Sequence, residues 1–537
     1  MVFKGMVGMG NSKSWDYIVV GAGHNGLTAA CTLAKAGKSV LVVEQRGMAG
    51  GLSVSHPFVP AAPNHFLSLG AMDDALMAHS PMIEFLDLRS HGYDSVPMAA
   101  PYGWMGEDGE TLVLHKSFER TVEEIKYFSP KDAKTYADVR GAIDLVMGGL
   151  EGIMQHHPSE VPKRLLLNVV LKLASDRKTR KVLARMLSVS AFEMFSETFE
   201  SEAMRGLWAF WACMFAPATV QASGLYLAAF GSVHRAGIFR PIGGMSGMIR
   251  AMERCLEKHG GEVRCNHKVE ELLLDGKRVT GVRIVGGQEF FATEGVLANC
   301  APQVALGKLL PDSARDEGLR KKIEFIPANS IAVAPFKIDY AVGGPVTYRK
   351  AVAARAKRDD LDVRKTTFMT GTLEQHIAQH KAALRGENVD FRPPLYFAIM
   401  SANDASIAPK GQDVFYLYVN TPLNPVGGWG ENKAGYSQQI RNAVSHYVDG
   451  LEHEIGSVEH CPKDFEDQFG TPNGAYFHVD MIPTRMLMNR PASGLGGYRT
   501  PFAGLYLAGA GSHPSGGVCG WPGRLAAETA MKDARAG

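Results

Sequence analysis

The chain has 537 residues, 45% of them hydrophobic and 21% charged, which suits a globular enzyme of about two to four domains. A formal net charge of +2 excludes a global field that would gather nucleic acid or an anionic polymer. Seven widely spaced cysteines without a C-x-x-C pair argue against a disulfide framework, a zinc site and a dithiol centre, and point to a reducing, cytoplasmic compartment.

The first fifteen residues, MVFKGMVGMGNSKSW, lack the apolar core of a secretory signal. No uninterrupted apolar stretch approaches the ~20 residues that span a bilayer. The chain is therefore expected to be soluble or bound to a membrane surface. Asp16–Val20 is a β-branched run that predicts a buried parallel strand. Gly21-Ala22-Gly23-His24-Asn25-Gly26 follows at once. A small-residue helix, Leu27–Ala36, is predicted next, closed by Gly37, and a second strand, Ser39–Val43, leads to Glu44 and Gln45.

Each part of this unit has a physical purpose. Gly21 permits the tight turn, Gly23 lets the backbone approach a pyrophosphate, and Gly26 lets the helix pack on the sheet. The helix start offers free N–H groups to phosphate. The Glu44 carboxylate can accept both hydroxyls of an adenosine ribose and would repel a 2′-phosphate. This is a dinucleotide-binding unit, but it does not separate NAD from FAD. Arg46-Gly47-Met48-Ala49-Gly50-Gly51 does, because it is similar to the R-x-G-G signature of FAD proteins in the glutathione-reductase and amine-oxidase group. That resemblance implies that amides near Gly50 and Gly51 meet the diphosphate and the ribityl side of the flavin.

Residues 161–189 are basic and roughly amphipathic. Such a face suits an anionic membrane, or a solvated helix whose apolar side is core, and the second is expected. Trp208, Phe210, Trp211, Met214 and Phe215 suit either a substrate tunnel or ordinary packing. Residues 260–285 read as strand, turn and strand around Asp275-Gly276, and Gly295–Asn299 as a strand returning to the nucleotide sheet. Ser330–Ala341, Pro394–Met400 and Asp413–Val419 have strand composition and suggest a sheet covering the flavin, while Arg349–Arg364 reads as a charged surface excursion.

Near the C-terminus a second apolar strand feeds a glycine-rich loop, Gly504 to Gly523, with a helix predicted over Arg524–Lys532. With Arg499-Thr500-Pro501 ahead of it, and with Arg240-Pro241-Ile242-Gly243-Gly244-Met245 as an internal match, this end piece resembles the phytoene desaturase family of FAD-dependent oxidoreductases. Within that family it most resembles the branch of pyridine nucleotide-disulfide oxidoreductase domain-containing protein 2. One departure is that many relatives carry an acid where Ala510-Gly511 stands, which leaves backbone amides or Ser512 for the ribityl chain. Cys519 is expected to be a small packing residue, and Trp521 either packs on the flavin or fills the core.

The resemblance implies an α/β architecture of the amine-oxidase and phytoene-desaturase kind: a discontinuous Rossmann-like FAD domain over residues 1–75, 225–305 and 495–537, and a substrate domain over 76–224 and 306–494, helical over about 110–224. The expected FAD contacts are Gly21, Gly23, Asn25, Gly26, Glu44, Gln45, Gly50, Gly51, Val269, Gly509, Ala510, Gly517 and Val518, with Val269 beside the adenine. His513 and His65 are candidate bases, although a structural histidine is the commoner case. His24 is expected to position its loop, nothing supports His56 as a covalent attachment point, and no metal set is visible.

The expected reaction moves a hydride from a substrate C–H to flavin N5, most simply in desaturation or dehydrogenation of an apolar or lipid-like substrate. No second complete G-x-G-x-x-G unit is present, so electrons are expected to leave to oxygen, a quinone or another carrier. Three alternatives stay open. They are an amine oxidase on the same scaffold, a non-redox FAD-dependent isomerase, and a flavin-free isoprenoid-binding protein. Oligomeric state and peripheral membrane contact are not readable.

Overall fold

A computed structural model describes residues 14–536, except 78, 79, 216 and 332. Most of the N-terminal segment read above lies outside the described residues, as do the side chains of Leu166 and Phe215. Two seven-stranded sheets organise the molecule.

The first sheet runs Val269–Asp275, Arg278–Ile284, Glu289–Ala298, Ser14–Val20, Val40–Val43, Glu262–Arg264. Ser14–Val20 is paired in parallel on both sides and is almost wholly buried, as its unbroken β-branched run requires. The long strand Glu289–Ala298 serves three neighbours, with Ser14–Val20 in parallel along one edge and two strands along the other. Its first half pairs antiparallel with Arg278–Ile284, and its last residues pair in parallel with Leu505–Leu507. The N-terminus, the middle and the C-terminus of the chain therefore meet in one sheet. Helix His24–Lys35 begins three residues before its predicted start, because Gly23 is its N-cap and the glycine turn already belongs to its first turn. It packs against Met245–Lys258 and the C-terminal helix Trp521–Ala536. Cys519 and Trp521 are buried in the core these helices share.

The second sheet runs Glu454–His460, Val333–Val342, Asp413–Pro422, Leu395–Ile399, Thr367–Met369, Tyr102–Met105, Thr111–Leu114. Its three predicted strands are present within two or three residues. One face packs Phe336, Ile338, Phe415 and Leu417 against helix Trp429–Val444. The other carries Tyr396, Tyr416 and Tyr418 toward helix Glu202–Phe215. There Phe210 stacks on Tyr396 at 5.8 Å and Trp211 lies 4.8 Å from Tyr102, whereas Trp208 packs among Tyr136, Phe199 and Phe230.

Two expectations need refinement. Arg349–Arg364 is mostly exposed, as read, but it is anchored by Arg355, which is fully buried and donates to Glu124 at 2.9 Å and to Asp359 at 2.6 Å. Residues 161–189 form two helices, Lys163–Ser175 and Arg177–Ser188, and the first does not turn all of its apolar side into the core. Leu165, Val169 and Leu173 are half-buried, but Leu167, Val170 and Leu171 are each more than half exposed.

Candidate functional site

The first glycine turn is built by exclusion of side chains. Gly21 has φ +96°, and a Cβ on Gly26 would stand 2.1 Å from Gly21 O, so neither position tolerates a side chain. Asn299, just beyond Glu289–Ala298, donates from Nδ2 to Gly21 O at 3.0 Å, and a Cβ on Gly23 would meet that same nitrogen at 2.9 Å. No side chain caps the helix that follows. Its first-turn N–H groups face the turn, where an anion is the natural partner. Asn25 is buried, and its Oδ1 has no partner among the described residues.

Glu44 is held at the end of its strand, 5% exposed, accepting from Ala22 N at 2.8 Å and from Arg46 N at 2.9 Å. The acid is thus locked onto the glycine turn through the backbone. The second glycine pair is joined to the same turn, since Gly50 N donates to Ala22 O at 2.8 Å. Both Gly50 and Gly51 have positive φ, and a Cβ on Gly51 would stand 3.4 Å from Gly23 Cα. His267 N donates to Glu44 O, and buried Val269 follows two residues after that contact. Gln45 is exposed, and its amide donates to Gln468 O at 3.2 Å.

The C-terminal loop is brought to this turn by one imidazole. His24 Nε2 donates to Gly517 O at 3.0 Å, 493 positions away in sequence, and Nδ1 accepts from Ser53 Oγ at 3.2 Å. Burial pushes its pKa down to about 4, so the ring is neutral at ordinary pH. Gly517 has φ +102°, Ala510 is buried, and Val518 beside Gly517 is half-buried. Gly509 passes so close to the sheet that a Cβ would lie 2.5 Å from Asn299 O. Gly523 lets the C-terminal helix touch the first, since a Cβ there would stand 1.9 Å from Asn25 O.

The candidate bases are placed differently. His513 is buried, with Nε2 donating to Ile153 O at 3.3 Å and His156 O at 3.2 Å, and burial pushes it down to about 4. It ties the C-terminal loop to the end of helix Pro130–Met154. His65 lies in the loop before Leu67–Ser68 and is tied to the second sheet, with Nε2 bonded to Val342 O at 3.3 Å. His56 is exposed and packs edge-on against Phe58.

Three groups escaped the sequence reading. Lys337 and Asp339 lie on one face of Val333–Val342, both fully buried, with Nζ 2.9 Å from the carboxylate, 2.5 Å from Ser68 O and 3.5 Å from the centre of the Tyr416 ring. Desolvation pulls the lysine down to about 8 and pushes the aspartate up to about 6, against their mutual attraction. Arg490 is entirely buried and donates to the carbonyls of Phe477, Val479, Asp480, Ala510 and Ser512 at 2.9–3.2 Å. Asp73 accepts from Tyr102 OH at 2.8 Å beside this aromatic face. The only sequence signals were two charges two residues apart in an otherwise apolar strand, and an arginine before Pro491.

One segment connects the glycine turns to the tyrosine face. Ala71 N donates to Leu52 O, directly after Gly51. Tyr416 OH donates to Gly70 O at 2.8 Å, and Arg240 Nη1 to Met72 O at 2.6 Å. The glycine cradle and the aromatic face therefore share a wall. Uncapped helix amides, an acid at the strand end, a buried Asn25 whose Oδ1 has no partner among the described residues, and glycines that exclude any Cβ fit a dinucleotide.

Residues 26–520 match the family described as flavin containing amine oxidoreductase. The chain belongs to that family. It is a FAD-dependent oxidoreductase acting on a small molecule. Among curated relatives, the rat pyridine nucleotide-disulfide oxidoreductase domain-containing protein 2 is 26% identical over 97% of this chain and 94% of its own length. A limonene dehydrogenase polypeptide of Castellaniella defragrans is 23% identical, covering 98% of this chain and 96% of its own. The lycopene-forming phytoene desaturase of Pantoea ananas is 23% identical over 94% and 96%. In fold, this flavoprotein is similar to a redesigned putrescine oxidase (TM-score 0.59, 16% identity, 98% and 99% coverage) and to cyclohexylamine oxidase from Brevibacterium oxydans (0.56, 15%, 98% and 99%).

Proposed function

We propose that this flavoprotein is a desaturase or dehydrogenase of an apolar, lipid-like substrate. In this reading residues 1–75, 225–305 and 495–537 hold FAD, through amides of Gly21, Gly23, Asn25, Gly26, Gly50, Gly51, Gly509, Ala510, Gly517 and Val518, with Glu44 on the ribose and Val269 at the adenine. Residues 76–224 and 306–494 form the substrate domain, with its helical part over about 110–224. When bound, FAD supplies a hydride acceptor at N5.

The observation that carries the reading is the aromatic face. Tyr396, Tyr416, Tyr418 and Phe210 form an apolar wall adjoining the glycine cradle. Such a wall holds a hydrocarbon by dispersion and excludes water from the reacting carbon. Limonene dehydrogenase and phytoene desaturase, named among the relatives, act on hydrocarbons, which supports the same substrate class. His513 and His65 each spend Nε2–H on backbone carbonyls, which suits a structural histidine, while Nδ1 of His513 is buried without a partner among the described residues. Asp73, which accepts from Tyr102 OH beside this face, is the carboxylate we assign to take the single proton that desaturation releases along with the hydride.

Anaerobic mixing of the flavoprotein with a panel of polyenes, cyclic terpenes, amines and alcohols tests this. Bleaching of the flavin by a polyene or terpene, and not by amines, is expected. Bleaching by an amine alone would replace the reading with an amine oxidase.

A further inference from the structure

We propose that the helix Lys163–Ser175, with the start of Arg177–Ser188, is a docking element for an anionic lipid bilayer. The helix carries two apolar stripes. Leu165, Val169 and Leu173 recur every four residues and turn inward, with Leu165 so close to helix Pro130–Met154 that a methyl group on Gly152 would meet it at 3.0 Å. Leu167, Val170, Leu171 and Ala174 follow the i, i+3, i+4, i+7 spacing on the opposite side. Leu167 is 56% exposed, Val170 59% and Leu171 57%. Large apolar side chains scattered singly on a surface need no explanation, but a continuous stripe along about two turns of one helix does.

The charge around the stripe selects its occupant. Residues 161–191 hold eight lysines and arginines against one acid, Asp176, while the whole chain carries +2. The positive excess is thus concentrated here, and the rest of the chain is net acidic. Lys163 and Arg164 open the helix, and Arg177, Lys178, Arg180 and Lys181 follow it, all exposed. An apolar stripe framed by cations on an otherwise acidic molecule matches the boundary between acyl chains and anionic headgroups, and would orient the protein with this side down. A protein partner would more commonly meet a broader apolar patch with few charges at its centre. Among the described residues no helix is long and apolar enough to cross a membrane, so the contact would be a surface one.

The element is also joined to the candidate site. His513 of the C-terminal glycine loop bonds to Ile153 O and His156 O, and His157 bonds to Gly497 O at 3.3 Å, six residues before the helix begins. Docking would therefore bring the glycine loop close to the bilayer. Delivery of a lipid-like substrate rests on the function proposed above; the docking itself does not.

Flotation of the FAD-loaded, full-length protein with vesicles tests the docking alone. The wild type should float with equimolar phosphatidylcholine and phosphatidylglycerol, stay behind with phosphatidylcholine only, and be released by salt. The variant L167N/L171N should bind at least about tenfold more weakly, and K163Q/R164Q/R177Q about 100-fold. Retained flavin absorbance in both variants shows that they are folded. Absence of flotation by the wild type, or unchanged flotation by L167N/L171N, would overturn the proposal. So would sedimentation velocity showing a wild-type dimer that L167N/L171N dissolves, since a second copy would then be the occupant. A vesicle-binding protein that bleaches only with amines would keep the docking and lose the substrate reading.

Discussion

His24 does more than a phosphate-turn residue usually must. Its two nitrogens join the first glycine turn, through Ser53, to the last, through Gly517. Alanine at this position removes both bonds without disturbing either strand, so H24A should fold yet lose FAD affinity about tenfold or more, at about 1 kcal/mol for each bond. Titration of the apoprotein with FAD measures this. The Lys337–Asp339 pair makes a different demand. Removing one partner leaves the other charged and buried, so K337M should cost about 3–5 kcal/mol of unfolding free energy, and K337M/D339L should recover most of it. A double-mutant cycle in denaturant would show strong coupling. Additive costs would mean that the two groups do not sense each other. None of this pairing was legible in sequence, because Ser68 and Tyr416, which complete the lysine's surroundings, come from remote segments.

Among the elements, the strand–glycine–helix units were legible and their contacts were not. Gly21, Gly26 and Glu44 could be read because backbone geometry dictates residue type locally. The helix start was misplaced only because a glycine turn and a first helical turn look alike in sequence. Gly523 could be read as part of a loop, but not as the point where the first and last helices touch. G523V should force that crossing apart, costing about 2–3 kcal/mol and weakening FAD binding with it. Thermal unfolding with and without added FAD would separate the two effects. Residues 161–189 show the limit most plainly. The sequence contains enough leucine and valine for a core face, and only the packing of the chain decides that Leu167 and Leu171 remain outside.

For the whole molecule, burial of histidines sets the working pH. His24, His380, His460, His478 and His513 are pushed down to about 4 and His376 to about 3, mainly by desolvation. Each is depressed below its unfolded value, so its neutral form supports folding above about pH 6.5, and this support is lost as pH falls toward 4. Between pH 7 and 5.5 the loss is about 1 kcal/mol for each histidine, which together approaches the net stability of an ordinary domain. The melting temperature should fall steeply over that interval. A flat profile would show that these histidines are solvated.

In the proposed function, the two ends of the chain close on one FAD. This closure is tested most directly by the flavin released on denaturing purified protein, measured for the wild type, G23V and G517V. The account predicts one FAD per chain in the wild type and a large loss in either variant, although the two glycines stand 494 positions apart in the sequence. Full occupancy in G517V would contradict it, because the C-terminal loop would then have no part in holding the cofactor.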